Sequence, residues 1–181
     1  MKKLYKLWLI PFLGVTALST AYGDSLGFTS DTGLKFEAVL SRAQEVQAVA
    51  PGNITESEIK VRFDEGFTQV EVELRVEGGD RVIAAHFHCA LPGVNGPIAF
   101  GFFSPGPLAF DGREARGVLT NADFTGEDCE PLIGRPVNNI AALAFAMREG
   151  LIYANVHTED NPAGEVRGQL LARTLEQFLG I

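Results

Sequence analysis

The three histidines of this chain fall in two short segments whose residue types favour β-strands. His86 and His88 lie in Ala84–Cys89 (AAHFHC), and His157 lies in Tyr153–Thr158 (YANVHT). Residues i and i+2 of a strand point to the same face, about 6.6 Å apart along the strand. If the two segments are neighbouring strands, they bring three imidazoles together on the outer face of a sheet. The alternative is three unrelated surface or hydrogen-bonded histidines.

Three neutral imidazole nitrogens suit copper, zinc, nickel or iron. Because the sequence brings no carboxylate clearly within reach, the intrinsic affinity order favours copper. Zinc is the alternative, since three histidines and a water form a known catalytic zinc arrangement. Cys89 follows His88 directly, but strand parity turns its side chain away from the histidines. The expected cofactor is therefore one metal ion bound by histidine alone.

Apolar and polar residues alternate along much of the chain, which predicts strands. Residues 67–77 alternate most regularly, as expected for a strand with one wet face. Residues 137–149 instead space their apolar residues as a helix does. Other strands are predicted at residues 34–40, 43–49, 54–63, 82–88, 98–103, 117–120, 151–157 and 165–172. The expected fold class is all-β, a Greek-key antiparallel β-sandwich of about eight strands with one inserted helix.

The composition indicates one globular domain with an acidic surface. The chain has 181 residues, and its 20 Gly and 9 Pro are typical of a turn-rich β protein. Its 23 acidic and 15 basic residues give a formal net charge of −8. Such a surface repels phosphate groups, so we expect no nucleic-acid partner and no binding to anionic membranes.

The N-terminal residues have the layout of a secretory signal peptide. Three lysines precede an apolar stretch at residues 7–20, and small residues end the segment at Gly23. This stretch is shorter than the roughly 20 apolar residues of a membrane span. The expected product is periplasmic or secreted, without a stable membrane anchor after cleavage. The predicted units are a signal peptide (1–23), a flexible leader (24–33), the domain (34–173) and a tail (174–181).

Cys89 and Cys129 are the only cysteines of the chain. An exported protein folds in an oxidising compartment, where two cysteines can pair. A disulfide between them is expected, and two buried free thiols are the alternative.

Four segments resemble the CHRD domain, which was first described in chordin and is widespread in exported bacterial proteins. They are Leu40–Val46 (LSRAQEV), Ala85–His88 (AHFH), Gly93–Pro97 (GVNGP) and Asn155–Leu170. The resemblance covers roughly residues 34–173, and the combination of motifs is specific. The family implies a fold rather than an assigned activity. Through chordin, it also allows a structural or protein-interaction module without metal.

A weaker resemblance is to the copper–zinc superoxide dismutases, which are also Greek-key sandwiches. The similar pieces are the His86–His88 strand, the Val156–His157 pair and the Asn161–Arg167 turn. The resemblance implies that the three histidines are copper ligands and that Arg167 is a catalytic residue that attracts superoxide. Cys89 falls where the dismutases have a loop-tethering cysteine. Its partner there follows the arginine, whereas Cys129 precedes Arg167.

This chain also departs from the dismutase pattern. It has no histidine left for the metal-bridging and zinc positions. A copper site alone could still cycle between Cu(II) and Cu(I), but another group would have to relay protons. The acidic net charge opposes the approach of superoxide unless Arg167 and its neighbours attract it locally.

Glu165 and Arg167 share one face of the last predicted strand, at positions i and i+2. One interpretation is an exposed ion pair that contributes at most about 1 kcal/mol. In the other interpretation, the Arg167 side chain lies near the metal. Glu165 or Asn155 then orients an imidazole ligand without binding the metal itself.

Three functions therefore remain open from the sequence. The first is an exported copper-binding protein with superoxide dismutase-like redox activity. The second is a copper-handling protein without turnover, and the third is an interaction module without metal. The expected partners beside the metal ion are superoxide or a copper-donor protein.

Overall fold

The structure, a computed structural model, describes residues 34–79, 81–124 and 127–172. The predicted signal peptide, leader and tail lie outside the described residues. Within them the helices are α1 (Glu130–Ile133) and α2 (Ile140–Arg148). The strands are β1 (Lys35–Val39), β2 (Glu56–Phe63), β3 (Gln69–Glu77), β4 (Val82–Cys89), β5 (Ile98–Phe103), β6 (Glu114–Thr120), β7 (Ile152–Thr158), β8 (Val166–Gln169) and β9 (Leu171–Ala172).

The strands form two antiparallel sheets, which confirms the predicted all-β sandwich. One sheet has the order β6-β3-β2-β1-β9 and the other β5-β4-β7-β8. The chain leaves β3 for the second sheet and returns in β6 beside β3, and it then enters β7 beside β4. These Greek-key crossings make the two histidine strands, β4 and β7, direct neighbours.

One face of each strand fills the core between the sheets. In β2, Ile59 and Val61 are buried and lie opposite Leu74 and Val72 of β3. Phe87 of β4 is fully buried from the other side. Each such side chain contributes about 1.5–3 kcal/mol when it is buried. Because successive side chains alternate, the histidines on either side of Phe87 point away from the core.

The start of β4 departs from this alternation. Its register with β7 shifts between Val82 and Ala84, and such a bulge locally re-aims side chains. Ile83, which the alternation predicts to be in the core, is 39% exposed for this reason. From Ala84 onward the alternation holds, and it sets the direction of the histidines.

The prediction of a strand at residues 43–49 is wrong. A 3-10 turn at Arg42–Gln44 leads into irregular chain. Side chains rather than a partner strand hold this segment, because Gln44 Nε2 donates to Val39 O and Gln47 Nε2 donates to Ala163 O. The segment is therefore a loop that packs against the loop after β7.

The strand predicted at residues 165–172 is divided between the two sheets. β8 pairs with β7 in the second sheet, whereas β9 pairs with β1 in the first. Leu170 between them is fully buried. The chain thus crosses the edge of the sandwich at this residue and closes it.

Helix α2 confirms the helix predicted at residues 137–149. Asn139 caps it by accepting a hydrogen bond from Ala142 N at 2.8 Å. Ile140 and Leu143 lie on its buried face and join the core. Among the described residues, no helix has the length and apolar character needed to cross a bilayer.

A disulfide between Cys89 and Cys129 joins the end of β4 to the start of α1, as predicted. Both residues are fully buried in the core. Since Cys89 follows His88 directly, the bond holds the end of the strand that carries two of the histidines.

Removing this disulfide is expected to lower the free energy of unfolding by about 3–4 kcal/mol, because the bond restricts a long loop in the unfolded chain. Urea unfolding of the Cys89→Ser/Cys129→Ser double variant beside the unaltered protein measures the difference. Dithiothreitol should destabilise the unaltered protein to the same extent and leave the double variant unchanged. Equal stability of the two proteins would contradict this role.

Candidate metal centre

The structure brings His86, His88 and His157 together on one face of the second sheet. In the β4–β7 register, Ala84 lies opposite His157 and His86 lies opposite Asn155. The ring centroids of His86 and His157 are 4.9 Å apart, and that of His88 lies 5.7 and 5.9 Å from these two. One nitrogen of each ring lies within 4.8 Å of the other two. The three imidazoles therefore converge.

Three backbone carbonyls decide which nitrogen of each ring carries the proton. A carbonyl oxygen only accepts hydrogen bonds, so the ring nitrogen that faces it must be the N–H donor. The opposite nitrogens consequently carry lone pairs: His86 Nδ1, His88 Nε2 and His157 Nε2. The donor contacts are His86 Nε2 to Ser104 O at 3.1 Å, His88 Nδ1 to Gly96 O at 3.0 Å and His157 Nδ1 to Pro162 O at 3.1 Å.

These lone pairs face one another with no donor between them. His86 Nδ1 lies 3.2 Å from His157 Nε2, and His88 Nε2 is buried without a hydrogen-bond partner among the described residues. Two lone pairs at this distance repel unless a cation lies between them. Metal–nitrogen bonds of about 2.0–2.1 Å place ligand nitrogens roughly 3–4 Å apart, which fits the observed contact. This pair of nitrogens has the separation of two metal ligands, and one nitrogen of the third ring, His88, lies within 4.8 Å of both neighbouring rings.

Burial keeps the three rings neutral at neutral pH. It lowers the pKa of His88 and of His157 to about 4, and it also lowers the pKa of His86. Charge on neighbouring rings lowers the pKa of His88 and His157 further, while the carbonyl hydrogen bonds oppose the shift. Metal binding requires neutral imidazole, so the rings have their binding form at pH 7.

The histidines lie on the outer face of the sheet, as expected, but this face is covered. His86, His88 and His157 expose only 5%, 9% and 9% of their surfaces. Their carbonyl partners Gly96 and Pro162 lie in loops between strands. The same loops that cover the rings therefore also orient them.

Glu165 joins the end of β7 to the segment between β1 and β2. Its carboxylate accepts hydrogen bonds from Thr158 Oγ1 at 2.6 Å and Ile54 N at 3.0 Å, and it pairs with Arg42 Nη2 at 2.5 Å. Gly52 allows this close approach, since a Cβ there would lie 2.2 Å from Glu165 Oε1. Burial acts to raise the pKa of Glu165, but these hydrogen bonds outweigh it and lower the pKa. Glu165 thus holds the loop after β7 and, through it, the histidine of that strand.

Arg167 lies on the same face of the sheet and is 1% exposed. The exposed ion pair between Arg167 and Glu165 is not formed, because both side chains are buried and have other partners. Arg167 Nη1 donates to Asn95 Oδ1 and its Nη2 donates to Leu91 O, both at 3.3 Å. Burial lowers the pKa of Arg167.

Asn155 lies between His86 and Arg167 in the registers of β4, β7 and β8. Its side chain is buried, and its Oδ1 has no hydrogen-bond partner among the described residues. Gly164 packs against it, since a Cβ there would lie 2.6 Å from Asn155 Nδ2. The second ring nitrogens bond to backbone carbonyls, so Asn155 is a neighbour of the site rather than the group that orients a ring.

Tyr153 is a neighbour of the site that was not predicted. It lies opposite His88 in the β4–β7 register, and the two rings stack with centroids 5.0 Å apart. Its Oη accepts a hydrogen bond from Gly96 N at 3.2 Å, and the carbonyl of the same Gly96 orients His88. The available sequence signal was parity, because Tyr153 shares a strand face with Asn155 and His157.

The fold and the site together define a β-sandwich protein with a candidate three-histidine metal centre. The sequence model of one family, described as the CHRD domain, matches residues 36–170. The chain therefore belongs to the CHRD-domain family. No curated protein and no solved structure matches the chain significantly, and the resemblance to copper–zinc superoxide dismutases stays a prediction.

The metal-free protein is expected to lose stability as the pH falls from about 6.5 to about 4. The folded pKa of His88 and His157 is about 4, whereas an unfolded imidazole titrates near pH 6.5. Within this window the unfolded chain binds more protons, so the free energy of unfolding falls with decreasing pH. Urea midpoints measured across the window check the slope. A His88→Gln/His157→Gln variant should show a flatter dependence, and an equal slope would contradict this origin.

Proposed function

We propose that this CHRD-domain protein binds one copper ion through His86 Nδ1, His88 Nε2 and His157 Nε2. The observation that carries the proposal is that one nitrogen of each ring lies within 4.8 Å of the other two. The other nitrogen of each ring is committed to a backbone carbonyl. Contacts of this kind select the tautomer of a ligating histidine and fix its orientation.

Copper is favoured over zinc by the ligand set. Among the described residues, the atoms that meet at the site come from histidine alone. Imidazole nitrogens bind both metals, but the affinity order of divalent ions places copper above zinc. Zinc with a water as fourth ligand is the alternative occupant.

Metal-free protein titrated with Cu(II) is expected to bind one ion per chain and to show nitrogen hyperfine structure in the EPR spectrum. Each of His86→Ala, His88→Ala and His157→Ala should weaken binding by more than about 100-fold, since partners that only orient a ligand already contribute about 10–100-fold. Competition with a chromophoric chelator measures the affinities.

The matched control is Glu159→Gln, which removes an exposed carboxylate two residues after His157 and should leave the affinity unchanged. An equimolar mixture of Cu(II) and Zn(II) identifies the preferred metal. Copper binding of equal strength in the histidine variants would refute the site. Retention of zinc alone would refute copper as its ion.

Superoxide dismutation is a second candidate function, favoured by the position of the Arg167 guanidinium on the ligand face. Copper held by His86, His88 and His157 would supply the one-electron oxidation of one superoxide to O2 and the one-electron reduction of a second superoxide to hydrogen peroxide, which takes two protons from solvent. A buried cation on the same sheet face as the metal would attract the anion. Copper binding without turnover is the simpler function.

Copper-loaded protein is expected to show superoxide turnover that persists in EDTA, which removes loosely bound copper. His157→Ala should abolish this turnover. Arg167→Gln should lower it by about tenfold or more, because electrostatic attraction of a substrate changes rates by about 10–1000-fold. Cytochrome c reduction under a constant flux of superoxide measures the rates. If no superoxide turnover persists in EDTA, dismutation is refuted and copper binding without turnover remains as the proposed function.

We also propose that the protein is exported to the periplasm or secreted. Residues 1–23 have the layout of a signal peptide, and oxidising compartments maintain disulfides such as Cys89–Cys129. A copper-donor protein would then deliver the metal outside the cytoplasm.

A further inference from the structure

Tyr153 lies between a candidate ligand and a buried cation. Its ring stacks on His88 at an interplanar angle of 10°, and the Cζ of Arg167 lies 3.5 Å from the centre of the same ring. Because β7 lies between β4 and β8, the two groups approach Tyr153 from opposite sides. All three residues are at least nine-tenths buried. We call this set the Arg167–Tyr153–His88 stack.

Neutral groups hold the guanidinium of the stack. Its two described side-chain hydrogen bonds go to the amide oxygen of Asn95 and the backbone carbonyl of Leu91. Asn95 Nδ2 donates to Gln47 Oε1, and Gln47 Nε2 donates to Glu45 Oε2. The acidic group that acts on Arg167 is Glu45. The amide side chains of Gln47 and Asn95 connect it to the guanidinium.

Charges of opposite sign act on the two ends of the histidine cluster. Arg167 acts on His88, and Glu127 acts on His86. Glu127 is exposed, so water and salt screen its charge. Arg167 is buried, and its charge acts through a medium of low dielectric constant. The positive charge of Arg167 is therefore the less screened of the two.

We propose that Arg167, acting through Tyr153, biases bound copper toward Cu(I). The inference rests on the copper site proposed above and assigns Arg167 and Tyr153 as positioning residues that set the redox preference. In the equilibrium concerned, bound Cu(II) takes up one electron from an external one-electron donor and becomes bound Cu(I). No bond forms or breaks in the stack, and no proton is transferred.

The bias follows from the charge of the two copper ions. Repulsion by a fixed positive charge grows with the charge of the ion, so Cu(II) is destabilised more than Cu(I). Tyr153 fills the space between Arg167 and His88 and keeps out the water that would screen this repulsion. Three neutral imidazoles add no negative charge to offset it.

The test is the reduction potential of copper bound to the full chain, measured by EPR during a redox titration with one-electron mediators. Arg167→Gln should lower the ratio of Cu(I) affinity to Cu(II) affinity by about tenfold or more. A tenfold change corresponds to a potential about 59 mV lower for one electron. Arg167→Lys keeps the positive charge and should stay close to the unaltered protein. A merely structural role of Arg167 would disturb both variants alike.

Glu45→Gln is an independent variant on an irregular loop outside the stack. It removes the negative charge that opposes Arg167, so the preference for Cu(I) should increase. An unchanged or raised potential in Arg167→Gln, an equal loss in Arg167→Lys, or an unchanged potential in Glu45→Gln would each overturn the proposal. Failure of the unaltered chain to bind copper would instead refute the proposed function, so the two failures are distinguishable.

Discussion

The hydrogen bonds from three imidazole N–H groups to backbone carbonyls are the interactions on which the site depends. They turn the remaining lone pairs toward one another, and they hold His86 Nδ1 and His157 Nε2 3.2 Å apart. Without them a ring could present either nitrogen, and a buried ring without a fixed tautomer would bind a cation less well. Two of the carbonyls belong to Gly96 and Pro162, in loops between strands, so the orientation of the site is only as precise as the positions of its loops.

Buried polar side chains hold those loops where no sheet hydrogen bonds are available. Asn161 accepts a hydrogen bond from the backbone N–H of Ala50 and donates one to its carbonyl. Glu165 accepts hydrogen bonds from Ile54 N, before β2, and from Thr158 Oγ1, at the end of β7. A buried carboxylate is costly unless it is fully hydrogen-bonded. This requirement explains why Glu165 has so many donors, and why its loss would loosen the loop that orients His157.

Burial also determines the electrical character of the site. The rings stay neutral because water is excluded, and the same exclusion lets the charge of Arg167 act on His88 across Tyr153. In the proposed copper site, the buried guanidinium would repel the bound ion. It would weaken the binding of Cu(II) more than the binding of Cu(I).

Local sequence patterns determined most of the strands, helix α2, the disulfide and the parity that places the three histidines on one face. The strands, the helix and the parity follow from the spacing of apolar residues along the chain. The disulfide follows from there being only two cysteines in the sequence. Only the tertiary structure made β4 and β7 neighbours, turned residues 43–49 into a loop that packs against the loop after β7, and placed Tyr153 between His88 and Arg167. Those features depend on contacts between residues far apart in the chain, such as Arg42 with Glu165 at a separation of 123 residues. No local pattern encodes such contacts, because they arise only when the sheets pack.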